Sequence, residues 1–306
     1  MILSAGEALI DMLPRDTAHG EQAFAPYPGG SVFNTAIALG RLGAPSGFFC
    51  GISSDLFGKI LIDALEASGV DASHAHRSDR PTTLAFVTLT NGQASYAFYD
   101  ENTAGRMLSE ADLPKATNLD ALFFGGISLV VEPCAAAYEA LLAREAENSV
   151  IMIDPNIRPS FISDEGTYRA RLDRMITKAD IVKVSDEDLL WLAGDGDIDT
   201  RAGELLAKGP SLICVTEGEK GVRGFTKSGV VHVASKRVEV VDTVGAGDTF
   251  NAGVLAALHD RGLLTKDNVS ALTEDDIQAA LSLGSRAAAV TVSRAGANPP
   301  WLNELA

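Results

Sequence analysis

The chain reads VVDTVGAGDTFNAG over residues 240–253, and this stretch decides how the rest of the sequence is interpreted. The β-branched residues at positions 238–241 predict a buried strand, because branched side chains suit a pleated surface. Gly245 and Gly247 then let the backbone turn sharply and approach a ligand closely. From Phe250 onward the apolar residues recur at helical spacing. The stretch therefore predicts a strand, a glycine turn and the start of a helix.

Such a turn forms an anion site, because free amide N–H groups and the positive end of the helix dipole meet there. Asp248 places a carboxylate in this positive region. One interpretation is that Asp248 caps the helix, which is common for Asp at a helix start. The other is that Asp248 is a base that takes a proton from a hydroxyl attacking a bound phosphate. The stretch alone leaves both interpretations open.

A second glycine-led helix is predicted by GGSVFNTAIALGRLG over residues 29–43. The helix begins at Ser31 and ends at Gly43, which is a typical C-terminal stop. Asn34 projects from its first turn. That side chain either caps the turn or hydrogen-bonds a nearby sugar together with the amides of the paired glycines.

Charge and composition limit the partners of the chain. Its 306 residues carry a formal net charge of −16 and no basic cluster, which argues against nucleic acid and anionic membrane surfaces. A nucleotide is still compatible, because a few amides and one or two cations suffice for phosphate. We find no basic segment ahead of an apolar one at the start, and no apolar run of membrane-spanning length. We therefore expect a cytoplasmic protein.

The middle of the chain predicts alternating strands and helices. Apolar strands at residues 121–125, 150–153, 181–184 and 212–216 are separated by amphipathic helices, which implies a parallel sheet covered on both faces. Active sites of such sheets lie at the carboxyl ends of the strands. The residues at these ends include Asp154, Asn156, Arg158, Lys183, Ser185, Thr216, Gly218 and Gly221. Together with the glycine turn, they predict a cleft that handles phosphate.

A hairpin is predicted over residues 82–99, where two alternating segments flank Asn91-Gly92, a strong turn signal. A two-stranded ribbon buries too little surface to be stable alone. We therefore expect it to join residues 10–27 in a small sheet over the site. Phe98, near the end of the ribbon, packs either on a substrate or in the core.

These motifs together resemble those of the ribokinase-like (PfkB) carbohydrate kinases, over nearly the whole chain. The C-terminal signature of that family is similar to DTVGAGDTF at residues 242–250, and its N-terminal signature is similar to GGSVFNTA at residues 29–36. The fructokinase-like branch is similar in GEALID at residues 6–11 and in DPNIR at residues 154–158.

The resemblance implies an α/β fold, namely a ribokinase-like three-layer sandwich with a mostly parallel central sheet and a small β-sheet lid. Residues 1–306 would form a single kinase domain, into which lid segments at residues 10–28 and 82–100 are inserted. In the family the lid closes on the sugar and often serves as a dimer contact. A homodimer formed through the lid is therefore a further expectation.

For the reaction, the resemblance implies that Asp248 is the base that deprotonates a sugar hydroxyl. The backbone amides of Gly245, Ala246 and Gly247 would complete an anion hole for the transferring phosphoryl group. Arg158 is expected to clamp that group, since a guanidinium matches phosphate oxygens in a fork. The alternative for Arg158 is an ordinary surface ion pair.

The resemblance also assigns the ligand-binding residues. Asp11, by itself typical of a surface or turn carboxylate, would bind sugar hydroxyls. The other sugar-binding candidates are Gly29, Gly30, Asn34 and Phe98. The nucleotide-binding candidates are Lys183, Ser185, Thr216, Gly218 and Gly221.

Two metal ions are implied in the same way. The family motif that arranges magnesium maps onto residues 185–188, where Ser185 replaces Asn and Asp188 replaces Glu. Asp188 is one methylene short, so either it reaches Mg²⁺ through water or Glu187 shares the role. A potassium ion would lie near Asp242.

The function implied is transfer of the γ-phosphoryl group of magnesium-ATP to a primary hydroxyl of a small sugar, with fructose as the leading candidate. A 2-keto-3-deoxygluconate kinase is the runner-up, but a carboxylate substrate requires a cation near the lid, and residues 82–99 contain no Lys or Arg. A nucleoside kinase is also compatible with the motifs. A non-catalytic sugar sensor would be expected to have lost the base or the anion hole, and both are present.

Overall fold

The computed structural model describes residues 1–90, 93–115 and 118–305. The predicted turn at Asn91-Gly92 lies outside the described residues. The strands are β1 (Ile2–Ala5), β2 (Leu9–Asp16), β3 (Gln22–Gly29), β4 (Ser46–Phe49), β5 (Gly51–Ser53), β6 (His76–Ser78), β7 (Leu84–Thr90), β8 (Gln93–Tyr99), β9 (Ala121–Gly125), β10 (Val150–Asp154), β11 (Ile181–Ser185), β12 (Leu212–Thr216), β13 (Val222–Thr226) and β14 (Gly229–Val233). The α-helices are α1 (Ser31–Arg41), α2 (Leu56–Ala67), α3 (Cys134–Glu145), α4 (Glu165–Ile176), α5 (Asp186–Ala193), α6 (Ile198–Leu206), α7 (Ala246–Asp260), α8 (Lys266–Ser270) and α9 (Glu274–Val292).

The main sheet has the strand order β14-β13-β12-β11-β10-β9-β1-β4 within the described ranges. In this sheet β12, β11, β10, β9, β1 and β4 each pair in parallel with the next, whereas β13 and β14 form an antiparallel edge. The predicted α/β architecture with a mostly parallel sheet is confirmed. Because all parallel strands run the same way, their carboxyl ends line one edge of the molecule.

Helices cover both faces of the main sheet. Helices α1, α2, α7, α8 and α9 pack on one face around a core that includes Phe33, Phe123 and Leu255. Helices α3 to α6 pack on the other face, with Phe124 and Tyr138 in their core. Successive residues of a strand point to opposite faces, which is why the neighbours Phe123 and Phe124 belong to different cores. Two-sided burial explains the uninterrupted apolar runs of the parallel strands.

A separate small sheet has the order β3-β2-β7-β8. Composition predicts a loop or a short exposed strand between residues 14 and 28. In the structure, residues 14–16 form the end of β2 and residues 22–28 form most of β3. The hairpin strands β7 and β8 join it through parallel pairing of β2 with β7. The predicted small sheet is therefore confirmed, and its strands are longer than the loop-like composition of residues 14–28 suggested.

The strand predicted over residues 238–241 is wrong. This segment has no strand partner among the described residues, and the side chains of Val240 and Val241 are 60% and 59% exposed. The amides of Val241 and Asp242 both donate to the carbonyl oxygen of Val292, the last residue of α9. The chain thus crosses a helix end instead of extending the sheet beyond β14, and β-branched composition cannot distinguish these two outcomes.

Within the described residues, no helix combines the length and apolar character needed to cross a bilayer.

Helices α7 and α9 cross with their backbones in close approach. A Cβ atom placed on Gly253 would lie 2.5 Å from the Cα atom of Gly284, far inside van der Waals contact. The two glycines therefore fix how α7, which begins at the glycine turn, lies against α9.

We expect Gly253→Ala to destabilise the protein by roughly 1–3 kcal/mol, because the added methyl group forces the two backbones apart. Urea unfolding measures this change. Gly203→Ala on α6 is the matched control, because a Cβ atom there meets nothing within 4 Å and alanine is the better helix former. Equal stability of the Gly253→Ala variant and the wild type would contradict the close packing.

Candidate active site

Two helix N-termini meet over the carboxyl ends of the parallel strands. Helix α1 begins after Gly30 and helix α7 begins after Gly245, and both glycines have positive φ angles, of 109° and 78°. Backbone of this kind favours glycine, which explains the glycines at both turns. The first turns of the two helices are joined by side-chain hydrogen bonds.

Asp248 lies at the centre of this junction. Its Oδ2 accepts a hydrogen bond from Asn34 Nδ2 at 2.9 Å, and its carbonyl oxygen accepts one from the Thr35 hydroxyl at 3.2 Å. Asp248 is the third residue of α7 and buried, and Gly245 occupies the N-cap position. No side chain of the described residues caps α7 or α1 from the N-cap position. The capping interpretation of Asp248 and Asn34 therefore fails, and the two side chains bind each other.

Burial raises the pKa of Asp248 to about 7, against the hydrogen bond from Asn34, which lowers it. The nearby carboxylate of Asp154 raises the pKa further, whereas the ammonium group of Lys183 lowers it. A carboxylate with a pKa near neutrality is a stronger base than an ordinary Asp and is still ionised in part at pH 7.

A buried ion pair lies below the glycine turn. Lys183 Nζ on β11 donates to Asp154 Oδ2 at the end of β10, at 2.9 Å. Burial lowers the pKa of Lys183, but the carboxylates of Asp154, Asp188 and Asp248 together outweigh burial and hold that pKa above its ordinary value. Asn251 Nδ2 donates to the same Asp154 oxygen at 2.7 Å. A Cβ atom on Gly247 would lie 3.0 Å from Lys183 Nζ, so the ammonium group lies directly against the predicted anion hole.

The candidates that follow β10 and β11 lie next to this pair. Ser185 Oγ caps α5 by accepting from the amide of Asp188 at 3.0 Å, and Asp188 Oδ1 accepts from the amide of Ile157 at 3.2 Å. Burial raises the pKa of Asp188, and the charge of Asp154 adds to the increase. The neighbouring Arg158 is exposed and donates to the carbonyl oxygen of Ile157 at 3.0 Å.

Arg158 makes no ion pair with any residue that the structure describes. The alternative interpretation, a surface ion pair, is therefore not observed.

The sugar-side candidates lie on the small sheet and at the start of α1. Asp11 on β2 is paired with Tyr27 on β3, and a Cβ atom on Gly29 would lie 2.2 Å from Asp11 Oδ2. Burial raises the pKa of Asp11 to about 6, so it is no ordinary surface carboxylate. Phe98 on β8 packs edge-on against Phe161, with ring centroids 4.3 Å apart. That contact connects the small sheet to the segment after Arg158.

Three of the nucleotide candidates, Thr216, Gly218 and Gly221, lie at the end of β12 and in the turn that follows it. The Thr216 hydroxyl donates to the carbonyl oxygen of Val184 at 3.4 Å. Gly218 and Gly221 adopt positive φ angles of 55° and 101°, so this turn needs glycine at both positions. On the other side of the glycine turn, Asp242 accepts from the amides of Val244 and Gly296.

Two polar side chains of this junction, Asn251 and Glu7, were not assigned from sequence, and Asp154 was placed in the cleft without its partners. Asp154 and Asn251 belong to the buried ion-pair cluster, and Glu7 accepts hydrogen bonds at the start of α1. The signal for Asn251 was its spacing of three residues from Asp248, which places both on one face of a helix. The signal for Glu7 was a carboxylate between apolar residues, which is rarely buried without a function or a partner.

Comparisons with known proteins support the predicted resemblance. The sequence profile of pfkB family carbohydrate kinases matches residues 1–304. A fructokinase of Rhizobium leguminosarum bv. trifolii is 57% identical over 279 residues, which cover 91% of this chain and 86% of that protein. Fructokinase-2 of Oryza sativa subsp. japonica is 35% identical, with 98% of this chain and 90% of that protein covered.

Solved structures agree with the sequence comparisons. The structure of a Xylella fastidiosa fructokinase with bound ATP has a TM-score of 0.89 at 29% identity, and covers 99% of this chain and 96% of that chain. The structure of a fructokinase double mutant of Vibrio cholerae O395, with fructose, ADP and a potassium ion bound, has a TM-score of 0.85 at 27% identity. The match covers 97% of this chain and 93% of that chain.

We expect Asp248→Asn to stabilise the fold at high pH. The pKa of Asp248 is about 7 when folded and about 3.9 in an unfolded chain. The unfolded state therefore ionises first, and the wild type loses stability as pH rises from about 4 through about 7. Asn does not titrate. The difference in unfolding free energy between the variant and the wild type should therefore shift in favour of the variant by up to ~4 kcal/mol from pH 4 to pH 8.

Urea unfolding at the two pH values measures this difference. Asp260→Asn is the matched control, because Asp260 is exposed at the far end of the same helix. A stability difference between Asp248→Asn and the wild type that is the same at pH 4 and pH 8 would contradict the raised pKa.

Proposed function

Since the chain belongs to the pfkB family of carbohydrate kinases, we propose that it phosphorylates fructose, using ATP as the phosphoryl donor and a primary hydroxyl of the sugar as the acceptor. The observation that carries this proposal is the buried Asp248 carboxylate, which lies at the start of α7 beside an open glycine turn. A base and an anion site are thereby within one helical turn of each other.

We assign Asp248 the role of base. Phosphoryl transfer requires positioning, charge neutralisation and a proton acceptor, and little covalent chemistry from the protein. The sugar hydroxyl loses its proton to Asp248 as the oxygen attacks the γ-phosphorus, and the bond to the leaving ADP oxygen breaks. Asn34 donates to Oδ2, and Oδ1, which accepts from no residue that the structure describes, is available to the hydroxyl. A pKa of about 7 matches a base that works near neutral pH.

The developing charge on the phosphoryl oxygens would be met from two sides. The amides of Gly245, Ala246 and Gly247 point from the positive end of α7, and Lys183 adds a cation directly beneath Gly247. Arg158 would reach the same oxygens from the opposite side of the cleft, because its guanidinium is exposed and carries no carboxylate partner among the described residues. We therefore assign Lys183 to the phosphate groups of the nucleotide.

The residues present fit a magnesium ion held mainly by the nucleotide. Among the described residues, no group of three or more His, Cys, Asp or Glu side chains is arranged to hold a metal. Mg²⁺ in kinase sites usually takes one or two carboxylates and phosphate oxygens, with water completing the shell. Asp188 is the carboxylate we assign to it, since burial beside Asp154 makes a cation favourable there. When bound, Mg²⁺ neutralises the phosphate charge.

A monovalent cation is a separate proposal. The Vibrio fructokinase named above has potassium bound. Asp242 is our candidate ligand, because its carboxylate already joins the glycine turn to Gly296 through two amide hydrogen bonds and keeps further lone pairs for an ion.

For the sugar, the small sheet is proposed to act as the lid. Asp11 would accept from sugar hydroxyls, with Gly29 and Gly30 giving the sugar close access to the backbone. Phe98 would pack on the sugar from β8 while it contacts Phe161. Association of two copies through the lid and a cytoplasmic location stay predictions.

A coupled assay of ADP release tests the function. We expect wild-type protein with magnesium-ATP to turn over fructose in preference to 2-keto-3-deoxygluconate, ribose and adenosine. Asp248→Asn should lower kcat by roughly 10²–10⁴-fold, the usual contribution of a general base. Asp260→Asn, the exposed control on α7, should retain wild-type kcat.

The panel separates the alternatives. If another sugar turns over and fructose does not, the base assignment stands and the fructose assignment falls. If a sugar binds in calorimetry but no substrate turns over, the protein is a sensor and the kinase proposal is wrong.

We expect Arg158→Ala to reduce kcat by roughly 10²-fold or more, because a charge that stabilises the transition state is lost. Fructose affinity, measured by calorimetry without nucleotide, should stay at the wild-type value. Arg158→Lys should recover only part of kcat, since an ammonium group lacks the two-pronged geometry of a guanidinium. Loss of fructose affinity with an unchanged kcat would place Arg158 in sugar binding instead.

A further inference from the structure

Glu7 provides the cap that helix α1 lacks at its own N-cap. The N-cap residue of α1 is Gly30, which has no side chain to accept from the free amides of the first turn. Glu7 Oε1, from the segment after β1, accepts from the Ser31 amide at 2.9 Å, from the Ser31 hydroxyl at 2.7 Å and from the Val32 amide at 3.4 Å. A carboxylate at this end of a helix is also favoured by the helix dipole.

The second oxygen of Glu7 reaches a different element. Oε2 accepts from the amide of Ser128, in the turn after β9, at 3.2 Å. A Cβ atom on Gly126 would lie 2.2 Å from Glu7 Oε1, and Gly126 has a φ of 65°, so the turn is shaped around the carboxylate. Among the described residues, Glu7 has no ion pair with Lys, Arg or His. Glu7 is half-buried. Holding a carboxylate away from water without a cation is costly, so a role in this place is expected.

The turn that Glu7 caps is the turn that carries Asn34. Asn34 lies three residues after Ser31, and its amide is the hydrogen-bond donor to Asp248 Oδ2. An uncapped first turn frays, and fraying here would withdraw that donor from Asp248.

We propose that Glu7 is a positioning residue for the reaction, whose carboxylate holds the first turn of α1 and thereby keeps the Asn34 amide on the Asp248 carboxylate. This inference rests on the proposed role of Asp248 as the base. It assigns Glu7 no contact with substrate.

The titratable groups that interact with the carboxylates of Asp248 and Glu7 define the pH range of a test. Asp248 faces Asp154, Lys183 and Glu7, besides Asn34. Burial raises the pKa of Glu7 itself, against its hydrogen bonds from Ser31 and Ser128. Glu7 in turn interacts electrostatically with four buried groups whose pKa values burial raises and which are neutral below pH 9. They are Cys50 (to about 11), Cys134, Tyr138 and Tyr168.

The test measures the pKa of Asp248 by carbon NMR of its carboxyl group in the ligand-free protein between pH 5 and pH 9. Asn34→Ala should raise that pKa, because it removes a donor to the ionised form. Ser31→Pro weakens the cap, because it removes both Ser31 donors to Glu7 and leaves only the longer bonds from the amides of Val32 and Ser128. Proline still suits the first helical position. If Glu7 acts through the helix, Ser31→Pro should also raise the pKa, and should add little when combined with Asn34→Ala.

Additivity distinguishes positioning from charge. If Ser31→Pro merely changed the charge of Glu7, it would shift the Asp248 pKa equally in the wild-type and the Asn34→Ala backgrounds, and such a result would overturn the proposal. If Ser31→Pro leaves the Asp248 pKa unchanged in both backgrounds, the proposal is overturned as well. Ser31→Ala, which removes only the hydroxyl donor, is the milder second variant and should shift the pKa in the same direction by less. Glu7→Gln is the charge control and should lower the Asp248 pKa in both backgrounds.

Turnover gives an independent readout. For Ser31→Pro with saturating fructose and magnesium-ATP, we expect kcat to fall roughly 3- to 10-fold near pH 6.5, in line with the usual cost of a lost helix cap, and much less near pH 9. An equal loss at both pH values would indicate a general structural defect and contradict positioning. The NMR titration needs no turnover, so a wild type that fails to phosphorylate fructose would refute the function and leave the positioning test intact.

Discussion

The whole site depends on one constraint, the burial of carboxylates where two helix N-termini meet above a parallel sheet. Asp248, Asp154 and Glu7 lie within the mutual electrostatic reach of this junction, yet only Asp154 has a direct cationic partner, Lys183, among the described residues. Helix amides and the Asn34 amide carry the remaining stabilisation. The result is a carboxylate at the start of α7 whose pKa is close to neutrality.

The fold is what makes this crowding possible. Parallel strands deliver Asp154 and Lys183 to the same edge, and the close crossing of α7 and α9 at Gly253 fixes where α7 begins. Helix α1 approaches from the other side and contributes Asn34 and Thr35 to the same residue, Asp248. A base, a cation and the amides of the glycine turn are therefore placed by the packing of rigid elements, which is how precise sites are usually built.

Much of the fold follows from sequence, because its signals are local. Apolar strands, helix spacing and glycine turns predict the parallel sheet, the two glycine-led helices and the small sheet. The segment at 238–241 was predicted wrongly as a strand, since its exposure depends on the end of α9, far away in sequence. For the site, local motifs identified Asp248 and Asn34, but their contact spans 214 positions and was not predictable. Glu7 and Asn251 were missed because their partners are likewise non-local.

The most direct measurement of the central claim is a crystal structure of the protein with fructose and a non-hydrolysable ATP analogue. We expect a primary hydroxyl of fructose within about 2.6–3.2 Å of the Asp248 carboxylate, the reach that a general base requires. The γ-phosphate should lie against the amides of the glycine turn, on the far side of that hydroxyl. Fructose bound with its primary hydroxyls turned away from Asp248 would contradict the assignment of Asp248 as the base.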